Sequence, residues 1–319
     1  MLRRDLFLVL TAVALGAPPL SAQTSMVVLT LPSSARAAGG GDVSPLATDA
    51  SALFYGAQRL PRERTATVSA GTWIGDAQLA TLAFATPLRA QRRTQSVLAL
   101  GVQSLDYGSA DEIVPDPLTG GRRGTATGNS VGGNELALTV GIKQQYLRSR
   151  TGVALTYMRQ QVADLSASAL TFSVANGITV RGWEADLSVE HAATSSRNPA
   201  RRTLTIPSTL RGSIATPYWA LARTRWRGIA EWRRANHAGS TAVIGVEGAY
   251  STPAGWALQV RGAGLSYSDE TARAPWSAGG SLSRGAWSLD YAYQGFGAFG
   301  AVHRMGVTWR SRDARNPSR

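Results

Sequence analysis

Cysteine is absent from all 319 residues, which excludes disulfides, thiolate metal ligands and a cysteine nucleophile. Charge is scarce as well: 17% of residues are Asp, Glu, Lys or Arg, against about a quarter in an ordinary globular domain. Part of the surface must therefore avoid water. The 3 histidines, His191, His237 and His303, have no close-spaced partners of the kind metal motifs require. Beyond the N-terminal stretch, no apolar run approaches the roughly 20 residues that a membrane-spanning helix needs. Any span must be made of strands.

What is present begins with an export pattern. Arg3 and Arg4 precede the apolar run "LFLVLTAVALGA", and "PPLSAQ" supplies small residues for cleavage after Ala22. The apolar run is too short to anchor in a bilayer. The chain is expected to divide into a signal peptide at 1–22, a periplasmic or plug segment at 23–64, a barrel at 65–310 and a basic tail at 311–319.

The formal charge of +13 becomes +12 (31 basic against 19 acidic) once the signal leaves. The arginines are scattered through turns, so nucleic acid is not expected as a partner; anionic lipid head groups or surface polysaccharide fit better.

The main signal is alternation. In "GWEADLSVEH", Trp183, Ala185, Leu187 and Val189 share one face, and Glu184, Asp186, Ser188 and Glu190 the other. In "NELALTVGIKQQY", Leu136, Leu138, Val140 and Ile142 oppose Glu135, Thr139, Gly141 and Lys143. From Thr65 onward the chain divides into about fourteen such segments of tilted-strand length. The expected fold is all-β: a transmembrane antiparallel β-barrel of about fourteen strands, with a short N-terminal periplasmic or lumenal segment.

With both barrel ends in the periplasm, odd-to-even connections face outside and may be long. The two longest, about 106–133 and 192–207, fall there. "RSRT", "STPAG" and "SRG" fall inside, and Pro217 in "TPYWALART" predicts a longer inner turn because it cannot donate to a ladder. Trp73, Tyr107, Tyr146, Trp183, Trp219, Trp226, Trp232, Tyr250, Trp256 and Trp309 near segment ends suit interfacial girdles. A soluble exported sandwich would use the same aromatics as core.

On this register the lumen-facing polar residues are Glu135, Lys143, Glu184, Asp186, Glu190, Arg227, Glu231, Arg261 and Asp290, joined by Arg233 and Glu247. Such a mixed set can line a pore or hold a closed lumen together by ion pairs.

Three stretches resemble the PorV/PorQ family of outer-membrane proteins, relatives of the FadL-type barrels associated with type IX secretion. They are "ARAAGGGDVSPLATDASALFYGAQRLP" from Ala35, the central hairpins "LALGVQSLDYGSADE" followed by "NELALTVGIKQQYLRSRTGVALTYMRQQVADLSASALTFSVANGI", and "WSLDYAYQGFGAFGAVHRMGVTWR" from Trp287. "GAQR" at Gly56 to Arg59 departs from the family's Asn-Pro-Ala-Gly turn, and the tail after Trp309 departs from barrels that end on an aromatic. The resemblance implies a fourteen-strand barrel that engages secreted cargo or secretion machinery at the outer membrane.

Enzymatic chemistry is not expected. There is no Gly-x-Ser-x-Gly elbow, and "GGSLSRG" reads as a strand entering a turn. "SADEIVPD", with Asp111, Glu112 and Asp116, lacks a calcium loop's spacing; "TGGRRGTATGNSVGG" lacks a phosphate loop's Gly-Lys-Ser/Thr and reads as a mobile outer loop. Around the outer rim the three histidines could approach one another, which leaves a lipid-modifying enzyme as the catalytic alternative. Neither cofactor nor metal is expected.

The resulting expectation is a monomeric, non-enzymatic barrel in the outer membrane of a diderm bacterium, contacting outer-membrane lipid and binding or shuttling secreted proteins. The alternative is a FadL-like transporter or channel for hydrophobic or small solutes, with Ala35 to Arg59 as plug.

Overall fold

The computed structural model describes residues 26–88, 94–115, 124–163, 165–197, 206–236, 238–268 and 274–311. Short-period alternation becomes fourteen antiparallel staves: β1 Thr65–Thr72, β2 Gln78–Pro87, β3 Thr94–Pro115, β4 Gly124–Tyr146, β5 Ser149–Val162, β6 Leu165–Val180, β7 Trp183–Arg197, β8 Thr209–Ala215 continued by Trp219–Leu221, β9 Thr224–Ala235, β10 Ser240–Ser251, β11 Trp256–Tyr267, β12 Trp276–Arg284, β13 Trp287–Gly295 and β14 Ala301–Arg310. Each pairs with its sequence neighbours, and β1 pairs with β14 from Thr65↔Arg310 to Gly71↔Arg304. The sheet thus closes on itself and leaves no open edge within the wall.

The distribution of side chains inverts that of a soluble protein. Leu136, Leu138, Val140 and Ile142 stand exposed on the outer wall, while Glu135, Thr139 and Lys143 between them are buried. The same holds on β7, where Leu187 is outside and Asp186, Ser188 and Glu190 are inside. An apolar outer band around a polar interior needs lipid outside, since water would leave every one of those side chains unfavourably hydrated. This is a transmembrane barrel, and the sandwich alternative fails on that inversion.

We call the end where β1 begins and β14 ends the inner end. There, among the described residues, the connections are two-residue turns at 147–148, 181–182, 222–223 and 285–286 and a four-residue turn at 252–255. Pro217 does not produce the long inner turn expected of it. The chain breaks at Thr216–Tyr218, then re-pairs with β9 through Trp219↔Trp226 and Leu221↔Thr224. Proline removes a single donor, and the ladder resumes beyond it.

The outer end also corrects the sequence reading. The expected loop 106–133 is mostly hairpin: Ser109↔Gly132 through Pro115↔Gly124 extend β3 and β4 past their neighbours, with register shifts after Asp106 and Asp111. Thus much of the glycine-rich stretch taken for a loop is strand. Outside the membrane a ribbon has water on both faces, so it carries no apolar alternation to read. Similarly, β7 continues to Arg197 where a connection from 192 was expected.

Residues 26–60 fill the lumen. A 3-10 turn at Val27–Thr30, the single-turn helix α1 at Ala35–Ala38, and 3-10 turns at Ser44–Leu46 and Ala50–Tyr55 form a compact plug. Ser34 caps α1 by accepting from the Ala37 N–H, and Asp49 caps the last turn by accepting from Ser51. Leu53, Phe54, Tyr55 and Leu60 pack on Ala83, Ala85, Val97, Ala99 and Ala154, while Met26, Val28 and Leu31 pack on Leu79, Leu105, Ala137 and Met158. Small wall residues make room for large plug residues. Gly152 is the extreme case, because a Cβ there would lie 2.2 Å from the Gln58 nitrogen and the Gly56 oxygen. The "GAQR" turn holds its shape through left-handed Gly56 (φ 98) and Ala57 (φ 69).

Candidate functional site

The wall strands turn alternate polar side chains inward, where they meet the plug in four clusters. Near the inner end, plug residue Arg59 pairs with Glu184 at 2.5 Å and with Asp186, which also accepts from Arg150 at 3.1 Å. Beside it, the Lys143 ammonium donates to the Leu60 carbonyl at 2.6 Å. Burial alone would lower the Arg59 pKa, but the two carboxylates outweigh it and hold the guanidinium above its ordinary value.

The second cluster surrounds Glu247, which is fully buried. Plug residue Arg36 reaches it at 3.0 Å, Arg227 and Arg261 each at 3.1 Å, and the Tyr218 hydroxyl donates at 2.6 Å. Arg261 extends the network to Ser281 and Asp290. Arg36 and Arg227 also donate to plug carbonyls, those of Leu46 and Pro45.

The third cluster lies in the outer half of the lumen. Arg211 donates to Glu190 at 3.0 Å, to Glu231 at 2.5 Å and to the Asp42 carbonyl at 2.8 Å. Arg233 donates to the Asp42 carbonyl at 2.9 Å, and Glu231 accepts from the Ser44 N–H at 2.7 Å. The Tyr55 hydroxyl donates to Asp42 at 2.5 Å. Burial, reinforced by Asp42, pushes that phenol's pKa well up. In the fourth cluster Glu135 accepts from the Val28 N–H, Tyr107 and Gln160, each at 2.7 Å.

All nine lumen residues named from sequence, Glu135, Lys143, Glu184, Asp186, Glu190, Arg227, Glu231, Arg261 and Asp290, point inward and are divided among these clusters, as do Arg233 and Glu247. The plug partners Arg36 and Arg59 and the wall residues Arg150 and Arg211 were not singled out from sequence. For Arg211 the signal existed: Arg211, Ser213 and Ala215 occupy the inward register of β8. For the plug residues there was no periodicity to use.

Between plug and wall, at the outer mouth, lies a cavity of about 270 Å³. Leu29, Leu31, Phe54, Tyr55, Ala235 and Tyr267 give it an apolar side; Asp42, Glu190, His191, Arg211 and Arg233 give it a polar one. His191 enters because the β6–β7 ladder shifts register between Phe172 and Val174, so Glu190 and His191 both turn inward, with His191 at φ 55. Its Nδ1 is 3.4 Å from the Thr171 hydroxyl.

The expected approach of the histidines fails on this geometry. His191 lies inside, whereas His303 faces outward with its Nδ1 2.7 Å from the Tyr291 hydroxyl. His237 lies outside the described residues. Among the described residues no group of His, Asp and Glu is arranged to hold a metal. In the outer ribbon, Glu112 accepts from Thr127 and Asn129. Those hydrogen bonds lower its pKa.

No protein-family model matches the sequence, and no curated protein matches it. Among solved structures the chain is similar to a FadL homologue from Pseudomonas aeruginosa, with TM-score 0.54 and 11% identity over 86% of this chain and 97% of that one. It is also similar to the toluene transporter TbuX of Ralstonia pickettii, with TM-score 0.51 and 9% identity over 86% and 97%. At such identities the likeness is one of fold alone: a closed outer-membrane β-barrel.

Proposed function

We propose that the protein is an outer-membrane transporter for small hydrophobic or amphipathic solutes, gated by its lumenal plug. The observation that carries this reading is the outer-mouth cavity. It has an aromatic and aliphatic side and a polar, partly charged side, and one wall of it is the plug itself, so a bound solute touches the element that blocks the path. That one of the neighbours is a toluene transporter supports the solute class. The reading includes no turnover chemistry; its steps are binding, plug displacement and release. It places the inner end in the periplasm, since short turns gather there, and has the chain exported through its signal.

Uptake of labelled toluene into proteoliposomes tests this. Ala235→Trp, which fills the cavity from β9, should lower uptake at least tenfold, equivalent to about 1.4 kcal/mol. Unchanged uptake would remove the cavity from the path.

A second reading follows the PorV/PorQ resemblance: a shuttle that binds secreted proteins. It is favoured by the β3–β4 ribbon, which stands beyond the barrel with Ile113 and Val114 exposed. Gentle extraction followed by mass spectrometry separates the readings. Stoichiometric secreted proteins would favour the shuttle, and a lone barrel would favour transport.

A further inference from the structure

Among the described residues, most exposed arginines gather at one end of the barrel. Every basic residue except Lys143 is an arginine. At the inner end, Arg62, Arg64, Arg148, Arg181, Arg223, Arg225 and Arg284 are all exposed. None of them makes an ion pair among the described residues. The inner turns at 147–148, 181–182, 222–223, 252–255 and 285–286 contain no Asp or Glu. Glu63, beside the plug's exit, and Glu184 and Asp186, both committed to Arg59, are the nearby described acids. The outer end is mixed, with Asp76, Asp106 and Asp111 exposed beside Arg159 and Arg234.

These arginines accompany aromatics that face outward. Tyr146 precedes Arg148, Trp183 follows Arg181, and Trp219 precedes Arg223, with all three rings exposed. Across β11 to β14 one row reads Trp256↔Arg284, Arg284↔Trp287, Trp287↔Trp309. The Arg284 guanidinium lies 4.9 Å from the centroid of the Trp256 ring. Indole and phenol rings settle at the glycerol level of a bilayer, so the neighbouring guanidinium groups stand at the phosphate level. Guanidinium remains charged at any physiological pH and grips phosphate oxygens in pairs, which an ammonium cannot do.

We propose that the inner rim is a collar that binds anionic phospholipid, with guanidinium groups holding phosphates and Trp or Tyr rings holding the glycerol and upper acyl chains. The occupant is lipid because the charges sit directly beneath the apolar band and its aromatics, continuous with the face that lipid already covers. Such a collar sets the depth of the barrel in the membrane.

The test uses the full chain, reconstituted in equal parts of phosphatidylglycerol and phosphatidylcholine, then released into mild detergent for native mass spectrometry. Retained lipid should favour phosphatidylglycerol by roughly fivefold or more, the preference that a single interfacial arginine confers. The combined variant Arg148→Gln, Arg181→Gln, Arg223→Gln and Arg284→Gln should lose it, while Arg159→Gln with Arg234→Gln at the outer end should keep it. Equal retention of the two lipids by the unaltered protein overturns the proposal, as does full selectivity in the folded four-site variant. Should that variant not fold, the salt dependence decides: selectivity in the unaltered protein must fall as ionic strength rises. Selectivity indifferent to salt overturns the collar.

Discussion

Glu247 shows how single side chains hold the plug. One carboxylate serves Arg36 from the plug and Arg227 and Arg261 from the wall. In this buried cluster its loss leaves three guanidinium groups without their shared anion. Glu247→Gln should therefore weaken plug docking by about 3–5 kcal/mol. Faster proteolysis within residues 35–60 in the reconstituted protein would report it; protection equal to the unaltered protein would refute the latch. At this scale the sequence was legible wherever alternation governs. Glu135, Asp186 and Glu190 could be placed inside because a one-residue slip would put carboxylates into hydrocarbon. Arg36 and Arg59 could not, because a plug built of short turns has no period, and their partners lie 211 and 127 residues away. His191 was misplaced because a bulge adds one residue and no sequence rule announces it.

At the scale of elements, register is the fact most exposed to test. Leu138 on β4 faces lipid, between Ala137 and Thr139 facing the lumen. Leu138→Arg should cost about 2–4 kcal/mol of stability in vesicles if it lies near mid-bilayer. A neutral effect on refolding into lipid would contradict the register. Strand positions within the membrane were readable to within a few residues because two solvents impose a strict period. Beyond the membrane that discipline lapses, which is why the paired ribbon Ser109–Pro115 with Gly124–Gly132 read as loop. At β8 the error ran the other way, since Pro217 interrupts a stave that resumes at Trp219.

For the whole molecule, the inverted arrangement of apolar outside and charged inside determines everything else. A barrel of this kind needs something to satisfy its lumen, and here the chain supplies it from its own N-terminal segment, through the carboxylates Glu184, Glu231, Glu135 and Glu247. Sequence announced the barrel and offered a plug as one possibility; the closure itself rests on long-range ion pairs that only the folded chain reveals. The central claim is that the plug seals the lumen and that passage requires its displacement. Conductance across a planar bilayer tests it most directly, comparing the full chain with one lacking residues 26–58. The account predicts a sealed full-length protein and steady conductance without the plug. Open-pore conductance in the full-length protein, or the same conductance in both, would contradict it.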